Sequence, residues 1–203
     1  MSGLTRDKIT GILLAGGKST RMGREKSLIR TGNRHLYEYP LAVLAQLCRN
    51  VLISTCNKSY HSREHPQVCD EIPGIGPLGG IYSCLKKSGT DLNIVLSCDM
   101  PLVNKDLLIY LLQECAGNDI VVPAVNTDKV EPLCGIYRKT IIPAIEQQIM
   151  NKIYAVHTVF EQVSCKIVMI RETMPFYSPH MFMNINDADD LDRLEKILSG
   201  KSN

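Results

Sequence analysis

The sequence lacks a strong excess of charge of either sign. Its 203 residues include 23 lysines and arginines and 21 aspartates and glutamates, which gives a formal net charge of +2. Proteins that bind nucleic acid or anionic membranes usually carry a much larger basic excess. The balance argues against a nucleic-acid partner and indicates that any anion is bound locally.

Long hydrophobic runs are also missing. The longest apolar stretch, around residues 12–15, is far shorter than the roughly 20 residues that a transmembrane helix needs. The N-terminal segment MSGLTRDKITG has no hydrophobic region typical of a secretion signal. We therefore expect a cytoplasmic protein with no membrane partner.

The eight cysteines show no CxxC pair, so a zinc site has little support from the sequence. Most of these cysteines lie inside apolar stretches. This placement predicts buried free thiols rather than disulfides.

What is present is an ordinary globular composition, with 44% hydrophobic and 22% charged residues. A chain of this length predicts one folded domain that spans residues 1–203. Short apolar runs alternate with longer amphipathic stretches, and this alternation predicts an α/β fold with a mostly parallel sheet covered on both faces. The predicted strands are 9–14, 51–55, 92–98, 120–123, 133–137 and 165–170, and the predicted helices are 36–48, 77–87, 105–115, 140–150 and 187–198.

A glycine-rich loop follows the first predicted strand. Residues 13–26 read LLAGGKSTRMGREK, in which glycines let backbone N–H groups approach an anion while Arg21 and Lys26 supply positive charge. The loop is not a P-loop, because GxxxxGK[ST] ending at Gly17 would require glycine where Ile12 stands. A triphosphate site and a solvated surface loop both explain this pattern.

A carboxylate follows the third predicted strand, since Asp99 comes directly after residues 92–98 and before Met100 and Pro101. Ligands of open α/β sheets bind beyond the carboxyl ends of the strands, and a hard cation that bridges phosphates needs oxygen ligands. The ordinary alternative is a helix cap or a turn residue.

Two further motifs each have a functional and a structural explanation. Gly79 and Gly80 lie just inside the helix predicted to begin at Pro77, where a planar base or pterin could pack flush, although close packing of helix on strand explains them nearly as well. Asn184 and Asn186 precede a helix with an acidic first turn. Helix capping readily explains one side-chain amide at this place, but it explains a second amide less well.

The segment 74–79 matches the letters of the GxGxxG motif. Its neighbouring and internal prolines, Pro73 and Pro77, disfavour a dinucleotide-binding site.

The segments LLAGGKSTRMGREK, DEIPGIGPLGGI, VLSCDMPLV, VEPLCGIYRK and FMNINDADDL, in this order, resemble those of the molybdenum cofactor guanylyltransferase family over nearly the whole chain. The resemblance implies a Rossmann-like nucleotidyltransferase fold, with three α/β/α layers. It also implies that GMP is transferred from GTP to molybdopterin or the molybdenum cofactor, with Mg²⁺ as the cofactor and pyrophosphate as the by-product.

The same resemblance implies roles for individual residues. Arg21, Lys26 and Asp99 are the implied catalytic residues, Asp99 is the implied Mg²⁺ ligand, and Asp70 is implied to bind the guanosine side. The residues implied to contact nucleotide or cofactor are Leu14, Ala15, Gly16, Gly17, Lys26, Asn57, Asp70, Asp99, Asn184 and Asn186.

Three features of the sequence carry more detailed implications. Asn184 and Asn186 match the late amide motif near molybdopterin and the phosphates. Gly16 gives LAGG, where related cytidylyl enzymes tend to have LAAG, and favours guanine. The family commonly has an asparagine after the second strand, where a strict count gives Cys56, so either Asn57 takes this role through a shifted turn or the contact is lost.

Two alternatives remain open at this point. One is a related nucleotidyltransferase that uses CTP or a sugar phosphate, and the other is a non-catalytic protein that binds GTP or the cofactor. Molybdoenzymes or accessory cofactor-insertion proteins are candidate partners in addition to the two substrates.

Overall fold

The computed structural model describes residues 5–16, 26–57, 59–60, 64–126 and 129–200, with only the backbone described at Lys26. None of the helices in these ranges has the length and apolar character that a membrane crossing requires. The strands are β1 (Ile9–Leu14), β2 (Arg30–Thr31), β3 (Arg34–His35), β4 (Asn50–Ser54), β5 (Gln67–Val68), β6 (Leu92–Ser97), β7 (Ile120–Asn126), β8 (Lys129–Val130), β9 (Cys134–Arg138) and β10 (Cys165–Met169). The α-helices are α1 (Glu38–Leu47), α2 (Pro77–Lys87), α3 (Lys105–Gln113), α4 (Ile142–Met150) and α5 (Ala188–Leu198).

Eight strands form one mixed sheet in the order β10-β7-β9-β6-β1-β4-β5, with β8 paired to β7 outside this path. β1 runs parallel to both β4 and β6, and β10 runs parallel to β7. β9 lies antiparallel between β6 and β7. The predicted α/β fold with a mostly parallel sheet is confirmed, with an antiparallel strand inserted near its centre.

Two hydrophobic clusters fill the space on either side of the sheet. Leu13 of β1 belongs to the cluster that contains Leu44 of α1 and Leu107 of α3. Its neighbour Ile12 belongs to the other cluster, which contains Leu78 of α2 and residues of α4. Successive strand residues point to opposite faces, so this division gives three layers, with α1 and α3 on one face and α2 and α4 on the other.

Cys56 and Cys69 form a disulfide, with their Cα atoms 4.6 Å apart. β4 and β5 pair in parallel immediately before them, with Ser54 opposite Val68, so the two exposed cysteines leave the sheet side by side. The prediction of free thiols is wrong for this pair. It is confirmed for the other six, of which Cys48, Cys84, Cys98, Cys115 and Cys134 are buried and Cys165 is partly exposed.

Helix α2 approaches the sheet closely at Gly80 and the chain segment before the helix at Gly79. A Cβ atom at Gly80 would overlap the Oγ of Ser54 in β4 and lie 3.2 Å from the Cδ2 of Leu14 in β1. A Cβ atom at Gly79 would lie 3.0 Å from the carbonyl oxygen of Ile72, which lies between β5 and α2. The space in front of both glycines is therefore filled by protein, which supports close packing of the helix, on strands at Gly80 and on the preceding segment at Gly79, over contact with a planar base or pterin.

The disulfide gives a first prediction. Loss of the Cys56–Cys69 crosslink should lower the free energy of unfolding, because the bridge joins positions 13 residues apart. Crosslinking a loop of this size contributes about 3 kcal/mol. Urea unfolding of the oxidised protein and of a Cys56→Ser/Cys69→Ser variant measures the difference, with Cys165→Ser as the control at a free cysteine. Eight reactive thiols in denaturant without reductant, instead of six, would contradict the assignment.

The contact between Gly80 and Ser54 gives a second prediction. Gly80→Ala should lower the free energy of unfolding by about 1–3 kcal/mol, because the new methyl group overlaps the Ser54 hydroxyl. In a Ser54→Ala background the penalty should disappear or reverse, since alanine favours a helix over glycine by about 1 kcal/mol. Gly89→Ala is the control, because nothing lies within 4 Å of its Cβ position. Equal penalties in the two backgrounds would contradict the steric explanation.

Candidate active site

The carboxyl ends of β1, β4 and β6 lie side by side at one edge of the sheet. Leu14 pairs with Ser54 in β4 and with Ser97 in β6. Main-chain hydrogen bonds continue past the strands, since the N–H of Ala15 donates to Ser54 O at 3.1 Å and the N–H of Cys98 donates to Leu14 O at 3.0 Å. The backbone alone therefore brings the start of the glycine-rich loop next to the segment that follows β6.

The glycine-rich loop begins at this edge. Leu14 and Ala15 are buried, and Gly16 is exposed. The loop ends in a short 3₁₀ helix, Lys26–Leu28. The phosphate contacts predicted for Gly17 and Arg21 lie outside the described residues, as does the side chain of Lys26.

Asp99 is half-buried directly beyond β6. The next helix, α3, has Asn104 as its N-cap, whose Oδ1 accepts a hydrogen bond from the Leu107 N–H at 2.9 Å. Asp99 therefore caps none of the described helices. The helix-cap explanation for this carboxylate is excluded. Asp99 does lie in a turn, which the Met100 N–H closes by donating to Ser97 O at 3.3 Å, so the turn explanation and a ligand-binding role both stay open.

The segment that contains Asn184 and Asn186 lies against Asp99. The Ile185 N–H donates to the Asp99 carbonyl oxygen at 2.9 Å, which places one asparagine on each side of this contact. The N-cap of α5 is Asp187, whose carboxylate accepts a hydrogen bond from the Asp190 N–H. Neither asparagine side chain caps the helix, so capping explains neither of the two amides.

Glu131 is a carboxylate at this site that the sequence analysis missed. It is 8% exposed and lies between β8 and β9, with its Oε1 3.8 Å from Lys129 Nζ. Burial raises the pKa of Glu131 and the nearby Asp99 raises it further, whereas Lys129 and a hydrogen bond with the Asn184 side chain lower the pKa. A glutamate next to proline in the motif VEPLC was the only sequence signal.

The donor groups around Asp99 fit a magnesium ion that shares its ligands with a substrate. Asp99, Glu131 and Asn184 offer carboxylate and amide oxygens, which are the ligands that Mg²⁺ prefers. In the described part of the chain, no group of three or more histidine, cysteine, aspartate or glutamate residues could enclose a metal ion. Mg²⁺ is commonly held by one or two carboxylates together with substrate phosphates, and this arrangement matches that pattern.

Asp70 lies beyond β5, at the same edge of the sheet. Ser54 Oγ donates to Asp70 Oδ1 at 3.3 Å, which joins the carboxylate to the end of β4. Partial burial raises the pKa of Asp70, and the hydrogen bond from Ser54 lowers it. A carboxylate held in this way can accept hydrogen bonds from a ligand that lies along the edge.

Cys56, between β4 and β5, stands where the family resemblance implies an asparagine. The sulfur of Cys56 is bonded to Cys69, so its side chain is part of the crosslink. Asn57 is half-buried, and its Oδ1 accepts a hydrogen bond from the Ser59 N–H at 2.8 Å. The amide oxygen of Asn57 thus stabilises a local turn at the same edge.

Comparison with known proteins agrees with this arrangement. The family described as "MobA-like NTP transferase domain" matches residues 11–164. A probable molybdenum cofactor guanylyltransferase from Flavobacterium johnsoniae is 32% identical over 193 residues, covering 95% of this chain and 100% of the relative. A protein of the same description from Bacillus subtilis is 34% identical over 195 residues, covering 93% of this chain and 96% of the relative.

A solved structure extends the likeness to the whole architecture. The crystal structure of molybdopterin-guanine dinucleotide biosynthesis protein A from Archaeoglobus fulgidus is 25% identical, with a TM-score of 0.80, and covers 94% of this chain and 99% of that chain. The family resemblance inferred from the sequence motifs is confirmed, and this chain belongs to the family of MobA-like NTP transferases.

Proposed function

We propose that this protein transfers GMP from GTP to molybdopterin, with or without bound molybdenum, and releases pyrophosphate. The observation that carries the proposal is the convergence of the start of the glycine-rich loop, Asp70, Asp99 and the Asn184–Asn186 segment at one edge of the sheet. The similarity to proteins described as probable molybdenum cofactor guanylyltransferases supports the choice of nucleotide and acceptor.

GTP lies along this edge in the proposed complex. Its guanosine side is near Asp70, and its phosphates lie against the loop that starts at Leu14, Ala15 and Gly16. Glycines allow close approach of backbone N–H groups to phosphate oxygens. Gly17, Arg21 and Lys26 complete the phosphate contacts, as the match to the family motif implies.

The reaction is a displacement at the α-phosphorus of GTP. An oxygen of the terminal phosphate of molybdopterin attacks, the new P–O bond forms, and the bond to the β-phosphate breaks so that pyrophosphate leaves. The attacking oxygen belongs to the acceptor, so no nucleophile from the protein is required. The main task of the protein is to align two polyanions and to offset their repulsion.

Positive charge offsets this repulsion from two sources. Asp99, with Glu131 and Asn184 beside it, would hold a Mg²⁺ ion, which would neutralise part of the charge on the triphosphate and on the pyrophosphate. Arg21 and Lys26 add fixed positive charge from the loop. Asn184 and Asn186 follow Asp99 in the sequence, whereas the loop precedes it. The two asparagines offer amide groups to the acceptor.

The experiment that tests the function is a product analysis. The purified protein is incubated with molybdopterin, Mg²⁺ and an equal mixture of the four ribonucleoside triphosphates, and the product masses are measured. We expect a GMP adduct together with pyrophosphate. A CMP adduct would keep the reaction and overturn the choice of base, whereas no adduct despite tight GTP binding would favour a non-catalytic binding protein.

The role of Asp99 gives a third prediction. Asp99→Asn should lower turnover about 100-fold to 1000-fold, as expected when a charge interaction with the reacting phosphates is lost. The melting temperature should change little, because Asp99 caps none of the described helices. Asp106→Asn, at an exposed position in the first turn of α3, is the control. Near-normal turnover of Asp99→Asn at saturating Mg²⁺ would remove Asp99 from this role.

A further inference from the structure

Tyr60 lies on the chain segment between β4 and β5 and is almost completely buried, with 2% of its surface exposed. Its hydroxyl group contacts two residues that are far away in the sequence. It donates to the carbonyl oxygen of Ala15 at 3.1 Å, and it is hydrogen-bonded to the Oγ of Ser27. Because a phenol has a single hydrogen, the Ser27 hydroxyl is the donor in the second bond when both form together.

These two contacts lie on either side of the glycine-rich loop. Ala15 is the first residue beyond β1, and Ser27 lies in the 3₁₀ helix Lys26–Leu28. One buried hydroxyl therefore links the start of the loop to its end. The residues between the two contacts include both cations, Arg21 and Lys26, that the proposed reaction requires.

Tyr60 is itself held from several directions. Its ring packs on that of Tyr37, with the centroids 4.8 Å apart, and the side chain of Gln67 donates to its carbonyl oxygen. The Cys56–Cys69 disulfide closes the segment on which it lies. Because these contacts restrict the position of the Tyr60 side chain, its hydroxyl can hold Ala15 and Ser27 at a defined separation.

We propose that Tyr60 is a positioning residue, whose hydroxyl fixes the two ends of the glycine-rich loop, Ala15 and Ser27, relative to each other before GTP binds. The inference rests on the proposed function, because it takes the loop to be the phosphate-binding element. Without the hydroxyl, the cost of bringing these two ends to the required separation adds to the cost of binding GTP and of reaching the transition state.

The test is Tyr60→Phe, which keeps the buried ring and removes only the hydroxyl. We expect kcat/KM for GTP to fall about tenfold, which corresponds to the loss of one buried hydrogen-bonded group. The KM for molybdopterin should stay within about twofold, because the loop contacts the other substrate. Tyr82→Phe is the matched control: Tyr82 is also buried, and its hydroxyl donates to Glu146, a residue of α4. Its kcat/KM should stay close to that of the unmodified protein.

A second variant separates positioning from general stability. Ser27→Ala removes one partner of the same hydroxyl, and in the Tyr60→Phe background it should have a smaller effect on kcat/KM than on its own. Fully independent effects of the two changes would overturn the inference, as would a Tyr60→Phe protein with kcat/KM within twofold of normal at a temperature where it is folded.

A measurement of GTP binding separates failure of this inference from failure of the proposed function on which it rests. Protection against thermal unfolding by GTP and Mg²⁺ is measured for the unmodified protein and for Tyr60→Phe. Absence of protection in the unmodified protein would count against the proposed function. Equal protection of the two proteins over the whole range of GTP concentrations would overturn the role of Tyr60 while leaving the function intact.

Discussion

The parallel pairing of β1 with β4 and β6 is the constraint on which the site depends. Pairing of Leu14 with Ser54 and with Ser97 places three strand ends at one edge, where the chain leaves the sheet towards the glycine-rich loop, Asp99 and the Cys56–Cys69 segment. Every residue of β1 and β6 is buried. A slip of one residue would exchange the faces of all their side chains, so the two hydrophobic clusters fix the register and, through it, the site.

Negative charge is concentrated where two polyanionic substrates are proposed to meet. Asp99 is close enough to Glu131 to raise the pKa of the Glu131 carboxyl, and Lys129 is the cation paired with Glu131. Adjacent carboxylates in a partly desolvated place are unfavourable unless a cation compensates them. In the proposed complex, Mg²⁺ and the cations of the loop would compensate these carboxylates, so the proposed function accounts for their placement together.

The sequence predicts the long elements of this fold well, because they are governed by local patterns. Proline at the first position of α2 and the apolar runs of β1 and β6 give bounds within one residue of those observed. The two-residue strands β2, β3, β5 and β8 are too short to show a period, and hydrophobicity does not encode the antiparallel direction of β9. The side-chain contacts that the sequence did not predict depend on partners that are distant along the chain. Tyr60 bonds to Ala15, 45 positions away, and Cys56 reaches Cys69 because β4 and β5 are parallel.

The crosslinked segment between Cys56 and Cys69 connects these features. The residue after Cys69 is Asp70, the carboxylate proposed to bind the guanosine side, and Tyr60 within the segment contacts both ends of the glycine-rich loop. A crosslink restricts the conformations open to the chain it closes. Cys56 stands where the family resemblance implies an asparagine, and it forms a covalent bond to Cys69. The restriction acts on both halves of the proposed nucleotide site at once, because one short piece of chain is hydrogen-bonded to both ends of the loop and leads directly into Asp70.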